Sequence, residues 1–281
     1  MIEIARLNHL EPGQKRRKLA LTFGALERDI CGIAEKGTEY AFAAMPRAEY
    51  VRRLAQIVAR DPQMTEDARA ELQSLLQAEV PDERRICNCA RNSLLTIIGT
   101  FPAEWDLVIA PHRAPTDENG TVRARQFFPG LCVYAEDIRS PFNLGSIFRT
   151  AEAMGAERVY LSPHCTDPEH PKAQRGGMGC IETLGYERLA LEQLPGNVPV
   201  FVLETGGTPL ESFAFPQRGI CIVGSEELGA SPKALARATH GRVSIPMTGL
   251  KVSLNVGVAF GILMQKWTER LRAAGITPSG S

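Results

Sequence analysis

The sequence predicts an α/β protein: a mostly parallel sheet with helices on both faces, preceded by a mostly α-helical N-terminal half. Three observations predict it. Residues 1 to about 125 carry apolar side chains at helical spacing, such as Leu19, Phe23, Leu26 and Ile30. After Pro129 short β-rich runs alternate with helical runs, as in parallel strands joined by crossover helices. Between the halves, Pro111–Gly120 (PHRAPTDENG) is rich in turn formers and reads as a linker or loop. The expected domains are therefore residues 1–125 and 126–281.

In the first half the candidate helices are Gln14–Ala34, Arg47–Ala59, Thr65–Ala78 and Glu83–Ile98. Glu11-Pro12-Gly13, Lys36-Gly37-Thr38, Asp61-Pro62 and Val80-Pro81-Asp82 separate them. In the second half Leu131–Glu136 reads as a strand and Leu144–Met154 as a helix, with Leu144, Ile147, Phe148 and Ala151 on one face. Strands follow at Arg158–Leu161, Val198–Leu203 and Gly219–Val223. Then come a short helix, Pro232–Ala238, a strand, Val243–Ile245, and a long final helix, Leu254–Leu271, with Val256, Phe260, Leu263 and Trp267 along one side.

Composition bounds the function without naming it. The chain has 281 residues, 44% hydrophobic and 23% charged, as in ordinary soluble globular proteins. A formal net charge of +0 gives no bulk attraction to nucleic acid. Basic residues do cluster at Lys15–Lys18, Arg52–Arg53, Arg84–Arg85 and Arg123 with Arg125, and each cluster reads first as a solvated helix face. No run is long and apolar enough for a membrane helix, and MIEIARLNHLEPGQKRRK has no signal-peptide core, so a cytoplasmic location is expected. The seven scattered cysteines read as reduced thiols. His164, Cys165, Asp167 and His170 lie close together, but the spacing is not a standard zinc pattern, and no metal is expected. Cys87-Asn88-Cys89 is too tight for C-x-x-C. With 6% aromatic residues, no base-stacking platform is evident.

Ligands of open parallel sheets bind beyond the carboxyl ends of the strands. Three loops there combine glycine with polar groups: Asp137–Gly145, Gly224–Gly229 and Pro246–Asn255. Neither G-x-G-x-x-G nor G-x-x-x-x-G-K-[ST] is present, so the ligand is not bound by either of those devices. In the first loop Asn143 is placed to cap a helix beginning at Leu144. Gly145 and Arg149 are four apart and share a face, so the Arg149 side chain would lean over Gly145 toward the loop. A helix N-terminus with a directed arginine makes a phosphate site.

Together these loops resemble the three signature motifs of the SpoU/TrmH branch of the SPOUT methyltransferases. The matching stretches are DIRSPFNLGSIFRTAEA (Asp137–Ala153), IVGSEELG (Ile222–Gly229) and IPMTGLKVSLNVGVA (Ile245–Ala259), in the family's order and spacing. The resemblance covers Leu131 to the C-terminus. It implies a SPOUT-type sheet whose C-terminal chain is tied in a trefoil knot, and a homodimer through the C-terminal domain with an active site built by both subunits. It implies S-adenosyl-L-methionine as methyl donor, held by Leu203, Glu204, Thr205, Gly224, Ile245, Met247 and Leu254. It carries catalytic roles onto Asn143, Arg149, Ser253 and Asn255, with Glu226 as the acid of the second motif. One departure stands out: where relatives often read R-x-S-x-G-A, this chain has Arg175-Gly176-Gly177-Met178-Gly179-Cys180, in a loop implied to face RNA.

The implied reaction is methyl transfer to a ribose 2'-hydroxyl of RNA, with ribosomal RNA favoured over transfer RNA. A hydroxyl nucleophile needs a base within hydrogen-bond reach. No histidine occurs in the motifs, and arginine has a pKa above about 12. Arg149 therefore either binds the target phosphate and developing alkoxide, or acts as base after sharing its proton with that phosphate. The alternatives are a non-catalytic RNA-binding protein retaining the fold and a methyltransferase acting on a base. The full motif set speaks against the first, and Asn143-Leu144-Gly145 with Ser253-Leu254-Asn255 against the second. The helical half, with Lys15–Lys18 and Arg84–Arg85, is a candidate for RNA capture or for protein interaction.

Overall fold

The structure, a computed structural model, describes residues 1–42, 44–102, 107–108 and 124–280. The expected linker Pro111–Gly120 and Arg123 lie outside the described residues. The chain divides into two compact units, Met1–Arg113 and Ala114–Ser281.

The first unit is helical: α1 (Ile4–Leu7), α2 (Pro12–Ile30), α3 (Arg47–Ala59), α4 (Glu66–Gln77) and α5 (Glu83–Ile98). Local chemistry sets the ends. Thr65 accepts the Ala68 N–H at the start of α4, and Asp82 accepts that of Arg85 at the start of α5. Gly99, at φ 76°, closes α5 in the left-handed conformation that glycine adopts without strain. Pro12 opens α2 two residues before the expected Gln14, since proline fits the first helical position, where no N–H is needed. Leu19, Phe23 and Leu26 of α2 pack with Leu54 of α3, Leu72 of α4 and Leu94 of α5 in a closed core. Inside it, buried Glu27 receives Asn88 Nδ2 at 3.0 Å and Arg91 Nη1 at 3.3 Å, so its charge is paired.

The second unit runs β1 (Gln126–Phe127), β2 (Leu131–Ala135), α6 (Pro141–Ala153), β3 (Arg158–Leu161), α7 (Pro171–Gly177), α8 (Cys180–Leu184), β4 (Tyr186–Arg188), β5 (Val200–Pro209), β6 (Gly219–Val223), α9 (Pro232–Arg237), β7 (Gly241–Ser244), α10 (Val256–Ala273) and β8 (Ser279–Gly280). Six strands form one parallel sheet in the order β4-β3-β2-β6-β5-β7. β1 and β8 form a separate antiparallel pair.

Both faces of the sheet are covered, which is why its strands read as continuous apolar runs. Val133, Ala135, Phe201, Cys221 and Val223 point into a core shared with α6 and α10. Their neighbours Tyr134, Val200, Val202, Ile220 and Ile222 point to the opposite face, against Leu191, Leu194 and Ala234. Trp267 of α10 is fully buried in the first core and donates its indole N–H to Pro216 O at 2.8 Å.

Three readings of the sequence need correction. The helix after β2 begins at Pro141, not Leu144, because Ser140 caps it and Pro141 takes its first position. β5 continues to Pro209 instead of ending at Leu203, with an irregularity against β7 between Leu203 and Thr208. The final helix begins at Val256, because Asn255 is its cap.

The order of strands locates the site. From β2 the chain moves outward through β3 to β4; on the other side of β2 lie β6, β5 and β7. The crevice where direction reverses, between β2 and β6 at their carboxyl ends, is where such sheets bind ligands.

Candidate functional site

Three carboxylates, one after β2, one within β5 and one after β6, pin the surrounding loops. Glu136, just after β2, accepts the Ser231 N–H at 2.8 Å and its hydroxyl at 2.6 Å. Glu204, in β5, accepts the Thr205 N–H at 2.7 Å and the Ala230 N–H at 2.9 Å. Glu226, after β6, accepts the Arg139 N–H at 2.9 Å, the Ser140 N–H at 3.0 Å and the Asn143 amide Nδ2 at 2.8 Å. Glu226 thus joins the loop after β6 to the entry of α6, across the switch point.

Burial of Glu226 would raise its pKa, but the backbone N–H of Arg139, the Asn143 amide and the Ser140 N–H outweigh it and hold the carboxyl below its ordinary range. It is an ionised clamp at neutral pH and does not act as a proton donor there.

From Glu226 a directional chain of hydrogen bonds runs outward. Asn143 donates Nδ2 to Glu226 and accepts Asn255 Nδ2 on its Oδ1 at 3.0 Å. Asn255 in turn accepts the Gly257 and Val258 N–H groups on its own Oδ1 at 2.9 and 3.3 Å. An ionised carboxylate only accepts and a backbone N–H only donates, so the two ends dictate which way both amides face. Close packing reinforces the link: a Cβ on Gly257 would lie 2.9 Å from Ser146 Oγ of α6.

Asn143 is therefore not the helix cap expected from the sequence. Ser140 caps α6, accepting the Asn143 N–H at 3.4 Å, and Asn143 sits in the first turn with its amide free to bridge. Ser140-Pro141 carried that signal: a serine directly before a proline marks a helix start.

These loops enclose a cavity of about 500 Å³ beside the middle of β5 and beyond the ends of β6 and β7. Leu203, Glu204, Thr205, Gly224, Ile245, Met247 and Leu254 all line it. So do Asn143, Glu226, Ser253 and Asn255. Gly224 is required by the loop itself, since a Cβ there would lie 2.2 Å from Ala230 N. Sequence reasoning did not single out Glu227 or Val252, which also line the cavity. Among the described lining residues are three carboxylates, Glu204, Glu226 and Glu227, and no lysine or arginine. The cavity suits a ligand with an apolar body and positive charge.

Arg149 is the one named residue that the structure does not bring to this cavity. It is exposed on α6. The space over Gly145, expected to be open for it, is filled by α7: a Cβ on Gly145 would lie 2.4 Å from Ala173 O and 2.8 Å from Gly177 N. The guanidinium makes no hydrogen bond or ion pair among the described residues, and its charge acts on Cys180 at the start of α8.

The His164–His170 stretch has structural uses. Cys165 is buried and accepts the Ile138 N–H, while His170 Nδ1 accepts the Lys172 N–H at 3.1 Å to open α7. Among the described residues no group of histidine, cysteine or acidic side chains is placed to hold a metal.

A parallel sheet covered on both faces, with a cavity of about 500 Å³ bounded by β5 and the loops after β6 and β7, defines an α/β protein with a pocket suited to a small ligand. Within that class the chain belongs to the SpoU rRNA Methylase family, which matches residues 130–265. An uncharacterised tRNA/rRNA methyltransferase of Synechocystis is 33% identical over 157 residues, 53% of this chain and 56% of that protein. The 23S rRNA (uridine(2479)-2'-O)-methyltransferase of Streptomyces viridochromogenes is 31% identical over 180 residues, 58% of this chain and 61% of its own length. The tRNA (guanosine(18)-2'-O)-methyltransferase of Thermus thermophilus is 31% identical over 159 residues, 54% of this chain and 80% of that protein. The chain spans a little over half the length of the first two of these relatives.

Proposed function

We propose that this protein transfers a methyl group from S-adenosyl-L-methionine to a ribose 2'-hydroxyl in RNA. The carrying observation is the cavity beside β5 and beyond the ends of β6 and β7, acidic and without cations among its described lining residues, in a chain whose relatives are named 2'-O-methyltransferases. When bound, S-adenosyl-L-methionine supplies an electrophilic methyl on a sulfonium centre. Apolar Leu203, Ile245, Met247 and Leu254 suit its nucleoside, and the three carboxylates suit its positive charge.

The chain's own groups do the rest. Glu226 fixes the loop before α6, and Asn143 and Asn255 hold the mouth of the cavity in one arrangement. Ser253, exposed in the loop before α10, is free to meet the ribose or the donor. Arg149 supplies positive charge to the target phosphate and the developing alkoxide, or takes the hydroxyl proton once its own is shared with that phosphate. Holding hydroxyl and methyl in line contributes much of the acceleration.

Arg149 is exposed on α6 and outside the lining of its own chain's cavity, which supports a homodimer in which a second copy supplies it. An exposed apolar stripe on α10 supports that assembly: Val258 and Ile262 are 54% and 39% exposed and flank Gly261 beside Leu210. The C-terminal chain is threaded as a trefoil knot. In support, it leaves edge strand β7 at Ser244 and returns at Asn255 to Asn143, beside the central strands. Residues 126–281 form the catalytic domain, residues 1–125 an RNA-binding or interaction module, and the site of action is the cytoplasm. Ribosomal RNA is favoured over transfer RNA.

The test is incubation with labelled S-adenosyl-L-methionine and unmodified total RNA, with methylated nucleotides mapped by resistance to alkaline cleavage. Ribose label in wild type, lost in Arg149→Ala, establishes the reaction and names the RNA. Donor binding without label in any RNA would overturn it in favour of another acceptor, and neither binding nor label would favour a non-catalytic RNA-binding protein.

A further inference from the structure

One cavity of the helical unit has a different chemical character. It measures about 310 Å³ and lies along α2 and α5. From α2 it is lined by Arg17, Leu21, Gly24 and Arg28, spaced four, three and four residues apart and so on one face. From α5 it takes Arg91, Leu95 and Ile98, again one face. Three arginines and no carboxylate line it among the described residues.

Most other arginines of this unit are tied to acids. Arg16 pairs with Asp61, Arg47 with Asp29 and Glu83, Arg52 and Arg53 with Glu49, and Arg85 with Asp82. Arg91, in the wall of the cavity, is anchored to Glu27. Arg17 and Arg28 are different: neither guanidinium has a hydrogen bond or ion pair among the described residues. Arg28 Nε is buried with no acceptor among the described residues. A buried donor without an acceptor is costly, and native proteins rarely keep one without a use. Beside these cations Leu21 stands 74% exposed, an apolar surface at the edge of the groove. The Lys15–Lys18 cluster is therefore not one solvated face: Arg16 is used internally and Arg17 enters this groove.

We propose that the α2–α5 groove binds a nucleotide unit of RNA, with its phosphodiester on Arg17 and Arg28 and its ribose or base on Leu21, Leu95 and Ile98. This rests on the reading of the protein as an RNA methyltransferase. The chain has a formal net charge of +0, so any grip on a polyanion must come from concentrated local charge. The groove supplies that charge next to an apolar floor, the pairing that suits a nucleotide better than a free inorganic anion. Guanidinium forks match phosphate oxygens in geometry as well as charge.

The test uses the full-length protein and a labelled, short, mixed-sequence single-stranded RNA, read by fluorescence anisotropy across a salt series. S-adenosyl-L-methionine binding is measured beside it by calorimetry. Arg17→Ala with Arg28→Ala is expected to weaken RNA binding about tenfold and to flatten the salt slope by roughly 1.4, two phosphate contacts' worth on a single strand. Donor affinity stays unchanged. Arg17→Ala alone, at an exposed residue, and Leu21→Ala each give a smaller loss and guard against a folding defect. Arg52→Ala with Arg53→Ala removes equal charge elsewhere and leaves binding within about twofold.

RNA binding and slope unchanged in the groove variants would overturn the proposal. So would an equal loss in the Arg52/Arg53 control, which would mean charge alone, or retained RNA binding with lost binding of an acidic peptide, which would give the groove to a protein partner. A wild-type protein that binds the donor but no RNA would instead sink the RNA reading itself, and the groove with it.

Discussion

Asn255 donates its side-chain amide to the side-chain oxygen of Asn143 across 112 residues of sequence, at 3.0 Å. That bond joins the N-terminus of α10 to α6, and its direction is dictated from both sides. Asn255→Asp tests the direction while preserving shape and capping ability. The new carboxylate keeps the Gly257 and Val258 N–H groups but faces Asn143 Oδ1 with a second acceptor. The variant should lose about 1 kcal/mol at neutral pH. The aspartate's folded pKa is then raised above its unfolded value, because the protonated form restores a donor. Its penalty should therefore fade as pH falls through that raised pKa, and return as pH rises. Thermal melts from pH 7 to about pH 4 check it, the ordinary aspartate pKa being near 3.9. A penalty that does not vary with pH would mean the amide direction is unimportant.

Glu226 gives the opposite sign. Its folded pKa lies below the unfolded value, so its contribution is complete above the unfolded pKa and is lost as pH falls through the folded one. Glu226→Gln should lower the melting temperature at neutral pH, and the gap to wild type should close in acid, below roughly pH 4. Donor binding should weaken too, because the Arg139 and Ser140 N–H groups lose a charged acceptor and the loop at the cavity mouth loosens. A gap that widens in acid would show that Glu226 is not held ionised by these bonds.

Much of this architecture could be read from the chain. Arg47–Ala59, Glu83–Ile98, Arg158–Leu161 and Gly219–Val223 begin and end as their periodicity and flanking residues predict, because each buries one continuous apolar face or run. The short elements between β3 and β5 were not legible, unlike the short strand Arg158–Leu161 and the short helix at Pro232. α7 and α8 are held by the close approach of Gly145 to Gly177 and by contacts of Ile181, which are distant in sequence and leave no local period. The lining of the cavity by Leu203, Gly224, Ile245 and Leu254 followed from the motif resemblance. What the resemblance did not contain was the wiring: that Glu226 accepts two N–H groups before α6, that Ser140 does the capping, or that α7 covers Gly145. The first and last depend on backbone atoms brought together by the fold, which residue types do not encode, whereas the cap was readable in Ser140-Pro141.

Gly145→Ala tests the packing that displaced the expected path of Arg149. Its Cβ would meet backbone atoms, Ala173 O at 2.4 Å and Gly177 N at 2.8 Å, and backbone yields less readily than a flexible side chain. The helix itself would welcome alanine by about 1 kcal/mol, yet forced overpacking costs roughly 1–3 kcal/mol or more, so the net should be destabilising. Urea denaturation gives the sign. Stabilisation would mean that α7 moves away at little cost, and that the space over Gly145 is available after all.

Arg149 lies on the exposed side of α6 and outside its own chain's cavity, which makes its contribution testable in mixtures. Arg149→Ala should abolish turnover, keep donor affinity, and change stability by less than about 0.5 kcal/mol, as expected for an exposed side chain without partners. Asn143→Ala should also abolish turnover, by breaking the bridge between Glu226 and Asn255. If each site takes Arg149 from one copy and Asn143 from the other, a mixed dimer of the two variants keeps one intact site. Random reassortment of equal amounts would then recover roughly a quarter of wild-type activity: half the dimers are mixed, each with one of two sites working. If Arg149 serves the cavity of its own chain, every site in the mixture lacks one group and no activity returns. Val258→Asp, which places a charge on the exposed apolar stripe of α10, should block the recovery by preventing association.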